Sequence, residues 1–219
     1  MRITRKGEWR VSMKVVLLNG SPRANGNTNR ALEEIVCQLE KEGVEGEILQ
    51  LGAGPLRDCI GCNACGKLGH CVFDDDVINE IAEKMKAADG IIVGTPVYYA
   101  HPSGRILSAL DRIFYSSSRS LAHKPGAAVA IARRAGTTAS VDVLNKYFTI
   151  AQMPLVSSTY WNVAFGQEPG EVEMDTEGQK TMRNLATNMA WMLKCIEAGK
   201  QAGIDIPTAE TGSSMNFIR

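Results

Sequence analysis

Three short runs of the chain are apolar without alternation: "KVVLL" at 14–18, "GIIVG" at 90–94 and "GAAVAIA" at 126–132. A strand with one wet face alternates apolar and polar residues, so an unbroken run of small and β-branched residues asks for cover on both faces. Such runs belong to a parallel sheet held between two helical layers. The intervening segments supply the cover. Ala31, Leu32, Ile35, Val36 and Leu39 fall at helical spacing, as do Val77, Ile78, Ile81 and Met85, then Ile106, Leu107, Leu110, Ile113 and Phe114. Val141, Leu144, Phe148 and Ala151 mark a fourth helix, and Met182, Leu185, Met189, Leu193 and Ile196 a fifth. "EGVEGEILQL" (42–51) reads as a further strand and "MPLVSS" (153–158) as the last. Strands alternating with helices predict an α/β fold, a doubly wound five-stranded parallel sheet with helices on both faces, because parallel neighbours need right-handed helical crossovers.

With 219 residues, 44% apolar and 22% charged, the chain has ordinary globular composition and enough length for one α/β domain. That domain is expected over 13–202, after a basic, flexible extension at 1–12 and before a tail at 203–219. A formal charge of zero, and no Lys/Arg-rich run beyond the first ten residues, argue against a nucleic-acid partner. No apolar stretch approaches the roughly 20 residues of a membrane span, and "MRITRKGEWRVSMK" has no apolar signal region, so a cytoplasmic protein without a membrane partner is expected. Residues 159–174, "TYWNVAFGQEPGEVEM", are long for a simple connection and carry Tyr160, Trp161 and Phe165. They read either as a cover for a ligand or partner subunit, or as a surface loop with an aromatic cluster.

Ligands of a doubly wound sheet sit beyond the carboxyl ends of its strands, near the switch in strand order. After the first strand comes "GSPRANGNT" (20–28), a turn that contributes little to a core. Its successive amides, with Ser21, Asn27 and Thr28 at the start of a helix, suit an anion such as phosphate. It is neither a Walker loop nor a dinucleotide fingerprint. After the third strand, "TPVYYAHPSG" (95–104) displays Tyr98 and Tyr99, flat faces for a planar ring, between two prolines. After the fourth, "RRAGTT" (133–138) offers two guanidinium groups and further donors. His101 is a candidate proton donor near such a ring.

Four cysteines, Cys59, Cys62, Cys65 and Cys71, form C-x-x-C-x-x-C-x5-C. In a cytoplasmic chain this density argues for metal or redox chemistry rather than disulfides. A [4Fe-4S] cluster, a zinc ion and free redox-active thiols all fit the donors. His70 reads as a solvated loop residue and the run Asp74 to Asp76 as a helix N-terminus. Cys37 and Cys195 lie in helical segments and are expected as small core residues.

Taken in order, "GSPRANGNT", "CIGCNACGKLGHC", "DDDV", "GIIVGTPVYY" and "GAAVAIARRAG" resemble the flavodoxin-like NADPH-dependent FMN reductases, in particular their iron-sulfur flavoprotein branch. The resemblance runs from about residue 13 to 200. It implies the flavodoxin-like sheet, bound FMN, NAD(P)H as co-substrate, and a homodimer or homotetramer. By the same resemblance Ser21, Arg23, Asn27 and Thr28 hold the FMN phosphate, and Pro96, Val97, Tyr98 and Tyr99 line the isoalloxazine. Arg133, Arg134, Ala135 and Gly136 approach its pyrimidine side, and the four cysteines carry a [4Fe-4S] cluster. The implied activity takes electrons from NAD(P)H through FMN to a quinone, a flavin or a redox protein. A ferredoxin-fed electron carrier without an NAD(P)H site is the alternative; a non-redox, zinc-loop anion-binding module is a third reading.

Overall fold

The computed structural model describes residues 2–3, 9–10 and 13–210. Strands β1 (Lys14–Asn19), β2 (Glu45–Gln50), β3 (Gly90–Tyr98), β4 (Gly126–Ala132) and β5 (Val163–Phe165) form a parallel sheet in the order β2-β1-β3-β4-β5. The order reverses at β1, so the gap between the β1 and β3 ends is the switch point. Helices α1 (Asn27–Lys41) and α5 (Thr176–Gln201) pack on one face, and α2 (Ile78–Ala87), α3 (Gly104–Leu121) and α4 (Thr137–Ile150) on the other. A two-residue pairing of Arg2–Ile3 with Trp9–Arg10 precedes the domain. The rest of the expected extension, and residues 211–219 of the expected tail, lie outside the described residues.

The unbroken apolar runs find their explanation in this layering. Val15 and Leu17 enter the core under α1 and α5, while Val16 and Leu18 enter the core under α2 and α3, and all four are fully buried. Ile91 and Val93 against Ile92, and Ala128 and Ala130 against Ala127 and Val129, repeat the split. Either face left in water would demand polar residues at alternate positions.

Two expectations are corrected. "MPLVSS" is not the fifth strand. It makes one parallel bridge, Leu155 to Gly126, in which the Gly126 amide donates to Pro154 O and the Val156 amide to Gly126 O, both at 2.9 Å. Pro154 has no N–H to extend a ladder, and the chain leaves the sheet before rejoining it at Val163. The strand lies instead inside the segment that reads as a long loop. Cys37 and Cys195 are exposed, not core residues. Cys37 stands two positions from both Ile35 and Leu39, the buried stripe of α1, which puts it on the opposite, wet side of a 3.6-residue turn.

No helix among the described residues is long and apolar enough to cross a membrane. Phe148 is fully buried against Phe114, with ring centroids 6.0 Å apart, and a Cβ on Gly126 would come within 2.7 Å of its ring. Phe148→Ala should therefore cost about 3–5 kcal/mol in urea unfolding; a loss under about 1 kcal/mol would show that α4 is not tied to the sheet through this ring.

Candidate functional site

The loop after β1 is shaped by contacts to the strands on both sides of it. The Gly20 amide donates to Gly94 O at 2.8 Å, and a Cβ at Gly20 would stand 2.9 Å from the Cβ of Ile106. Asn19, fully buried at the end of β1, accepts from the Ser21 amide through Oδ1 at 2.9 Å and donates to Gln50 through Nδ2 at 2.8 Å. Ser21 Oγ in turn accepts from the Arg23 amide at 3.2 Å. Ser103, capping α3 through the Ile106 amide, also donates its hydroxyl to Gly20 O at 3.2 Å. The turn is thus fixed from beneath before it reaches α1.

Helix α1 opens at Gly26 with no side-chain cap and no acidic residue in its first turn. Its leading amides have no intrahelical acceptors, and they carry the positive end of the helix dipole. A cavity of about 180 Å³ opens there, lined by Ser21, Arg23, Gly26, Asn27 and Thr28 from this loop, by Pro96, Val97 and Tyr98 from the end of β3, and by Ile131, Ala132 and Arg133 from the end of β4. Gly166 and Gln167, following β5, complete it. Loops from four strand ends meet at one anion-favouring helix terminus, beside an apolar floor and a half-exposed tyrosine.

Tyr99, Arg134, Ala135 and Gly136 do not line this cavity. Tyr99 is fully exposed at φ +58° in the two-residue turn that folds His101–Pro102 back on the end of β3. Gly136, at φ +87°, sits where a Cβ would lie 2.7 Å from the Ala100 Cα, so it packs closely against this turn. His101 is exposed and pairs with Tyr98 across that turn. Asn27 lines the cavity, and its side chain also bonds the loop after β5. Its Nδ2 donates to Glu168 O at 2.9 Å and its Oδ1 accepts from the Gly170 amide at 2.9 Å, so its side chain straps the 166–172 loop to α1. Tyr160 and Trp161 are exposed and stack edge to face at 4.8 Å, outside the cavity lining.

The cysteines sit elsewhere, in the long connection between β2 and α2. All four line a second hollow, together with Phe73, Arg112 and Tyr115. Gly61 at φ +63° turns the loop, Cys65 begins a one-turn helix (Cys65–Leu68), and Gly69 at φ +75° ends it. One face of α3 carries the loop. Arg105 donates to Gly54 O at 2.7 Å and Ser108 to Asp58 at 2.6 Å; Arg112 reaches Arg57 O, Cys71 and Phe73 O, and Tyr115 O lies 3.6 Å from the Cys65 sulfur. Arg112 is fully buried and paired with Asp76. Burial opposes charge on Asp76, but hydrogen bonds from Arg112 and the Ile78 amide outweigh it and hold the carboxyl below its ordinary 3.8. Among the described residues no three His, Cys, Asp or Glu side chains are poised on a single metal ion. The four thiols share the lining of one hollow, and four cysteines are the donor chemistry that iron-sulfur clusters use.

Residues 13–168 match the family described as NADPH-dependent FMN reductase. The chain belongs to that family. An iron-sulfur flavoprotein of Methanocaldococcus jannaschii is 36% identical over 198 residues, covering 84% of this chain and 100% of the relative. An NADPH azoreductase of a Bacillus species is 31% identical over 195 residues, covering 88% and 100%. A flavodoxin from the domain Archaea superposes with a TM-score of 0.56 at 15% identity, covering 83% of this chain and 99% of its own, and it shares the fold. This FMN reductase family member is therefore a flavoprotein oxidoreductase with a flavodoxin-like sheet, and the non-redox reading is set aside.

Gly26, Ile131, Ala132, Gly166 and Gln167 line the cavity and are missed by motif reading, as is Arg112 beside the cysteines. A signal for the last was present: Arg105, Ser108, Arg112 and Tyr115 recur at spacings of three, four and three, a polar stripe on a helix otherwise read for its apolar one. A carboxyl with a lowered folded value contributes stability above its ordinary range and loses that contribution as the pH falls. The stability gap between the protein and its Asp76→Asn variant should thus be constant from pH 5 to 8 and shrink below about pH 4. A gap unchanged to pH 2 in urea midpoints would deny that Asp76 is a charged partner.

Proposed function

We propose that the cavity at the head of α1 holds FMN, and that the protein takes electrons from NAD(P)H and passes them to a quinone, a flavin or a redox protein, with a [4Fe-4S] cluster on Cys59, Cys62, Cys65 and Cys71. The observation that carries this reading is the meeting of the β1, β3 and β4 loops at one helix N-terminus with no acidic residue in its first turn. Bound FMN supplies hydride acceptance and single-electron transfer, and a cluster supplies single-electron transfer alone.

The chain's own groups bind, orient and tune. The α1 amides, Ser21, Thr28 and Arg23 clasp the phosphate dianion, where charge-assisted hydrogen bonds are the strong ones. Asn27 acts indirectly, by holding Gly166 and Gln167 over the cavity; a Cβ at Gly166 would stand 2.8 Å from its Nδ2. Pro96, Val97 and Tyr98 form a flat wall for the ring, and Arg133 places positive charge at its far end. Tyr99, Arg134, Ala135 and Gly136 lie one step farther out, on the surface that an entering nicotinamide or a second subunit of a homo-oligomer would meet.

Steady-state oxidation of NADPH and NADH by FMN-loaded protein with a quinone acceptor tests the assignment. Turnover with at least one nucleotide is expected; none with either, but rapid reduction by ferredoxin, would make the protein a carrier. Arg23→Ala should weaken FMN binding about 10–100-fold, the equivalent of one charge-assisted hydrogen bond. Unchanged affinity in a fluorescence-quenching titration would remove Arg23 from the phosphate clasp. Replacing Arg133 and Arg134 together with alanine should lower the FMN midpoint potential, since a nearby cation favours the anionic reduced flavin; no shift would show that neither arginine acts on the ring.

A further inference from the structure

Arg112 distributes its guanidinium in a way that fits more than support. Its Nη1 and Nη2 both bond Asp76, the latter at 3.0 Å, and they also donate to Arg57 O at 3.3 Å and Phe73 O at 3.0 Å. Its remaining donor, Nε–H, goes to the sulfur of Cys71 at 3.2 Å. The carboxylate and the thiol therefore occupy different edges of one buried cation. Cys71 is held from its backbone as well: Asn79 Oδ1 accepts from the Cys71 amide at 3.0 Å, and Asn79 Nδ2 donates to Cys71 O at 2.9 Å and to Phe73 O at 3.0 Å. Among the hydrogen bonds of the described residues, Cys71 is the one of the four cysteines whose sulfur receives a charged donor. A loop that needed only tethering would be served by the carbonyl contacts. A buried guanidinium needs a carboxylate partner, but it does not need a thiol.

We infer that Arg112 is a positioning residue for the cysteine centre: through Nε–H it fixes the Cys71 sulfur as a ligand and, balanced by Asp76, sets the reduction potential of the cluster. The inference rests on the cluster reading given above. Hydrogen bonds to ligand sulfurs are among the levers that set such potentials. One-electron reduction adds one negative charge to the cluster and its four thiolates and breaks no bond. A donor and a cation at one sulfur stabilise that added charge and raise the potential, while the Asp76 carboxylate paired with the guanidinium opposes the effect. The two residues therefore push in opposite directions, which a purely mechanical clamp does not do.

Anaerobically purified wild type, Arg112→Lys, Arg112→Gln and Asp76→Asn proteins are compared by iron and acid-labile sulfide content, by FMN content as the check of folding, and by the cluster midpoint potential in a dithionite titration followed by electron paramagnetic resonance. The expected result is a more negative potential and reduced iron retention in both Arg112 variants, larger for Gln than for Lys, and a more positive potential in Asp76→Asn. Equal potentials in all four proteins, or shifts of one sign in all variants, overturn the inference. A measurement on the unmutated protein decides the case where variants fail to fold. With arginine labelled by ¹⁵N, pulsed resonance of the reduced cluster should show coupling to one arginine nitrogen, since the nearby Arg57 turns its guanidinium to Asp75 at 2.6 Å. No coupling overturns the assignment. Wild-type protein that carries FMN but neither iron nor sulfide overturns the cluster reading itself, and the inference with it; the FMN site would stand.

Discussion

The hydrogen bond from the Gly20 amide to Gly94 O carries the β1–β3 ladder one residue past its last paired position, across the switch point of the sheet. Much of the rim's geometry depends on it. It forces the chain to leave β1 close above the β3 end, where a side chain on residue 20 would strike Ile106, so the turn is low and leads straight to the head of α1. Buried Asn19 and Asn29 and half-buried Gln50 form an amide chain beneath, in which Gln50 donates to Asn29 at 2.6 Å. That chain ties the start of α1 to β1 and β2. An anion site made of backbone amides is only as exact as the backbone that presents it, and here the presenting loop is braced by three strands.

Helix α3 has a second job beyond its apolar packing. Its buried stripe, Ile106, Leu110 and Ile113 among others, holds the sheet, while Arg105, Ser108, Arg112 and Tyr115 hold a cysteine loop with no sizeable core of its own. Burying Arg112 without a partner would be costly, and the pairing with Asp76 at the head of α2 makes it tolerable. One rigid element therefore sets both the underside of the β1 turn, through the Ser103 cap, and the seat of the four thiols.

The fold was legible because buried parallel strands and amphipathic helices write different periods into a chain. β1, β3 and β4 stand where unbroken apolar runs placed them. The last strand was misplaced because "MPLVSS" has strand composition but lacks the Pro154 amide, whereas "VAF" is three residues in an aromatic, turn-rich stretch. That error hid Gly166 and Gln167, which reach the cavity only because Gly166 N bonds Ala132 O at 3.0 Å and extends the true edge strand. Ser21, Thr28, Pro96, Tyr98 and Arg133 were readable as rim residues from loop chemistry and strand order, and Arg23 and Val97 only through the family resemblance. Asn27 was readable as polar and important, but not as a strap, since its partners lie more than 140 residues away.

The central claim is that this rim recognises a flavin by its phosphate as well as by its ring. Titrating flavin-free protein with FMN and with riboflavin, and following flavin fluorescence, tests it most directly. The account predicts one FMN per chain and riboflavin weaker by about 100-fold or more, the loss of two charge-assisted hydrogen bonds. Equal affinity for the two, or no binding of either, would contradict it.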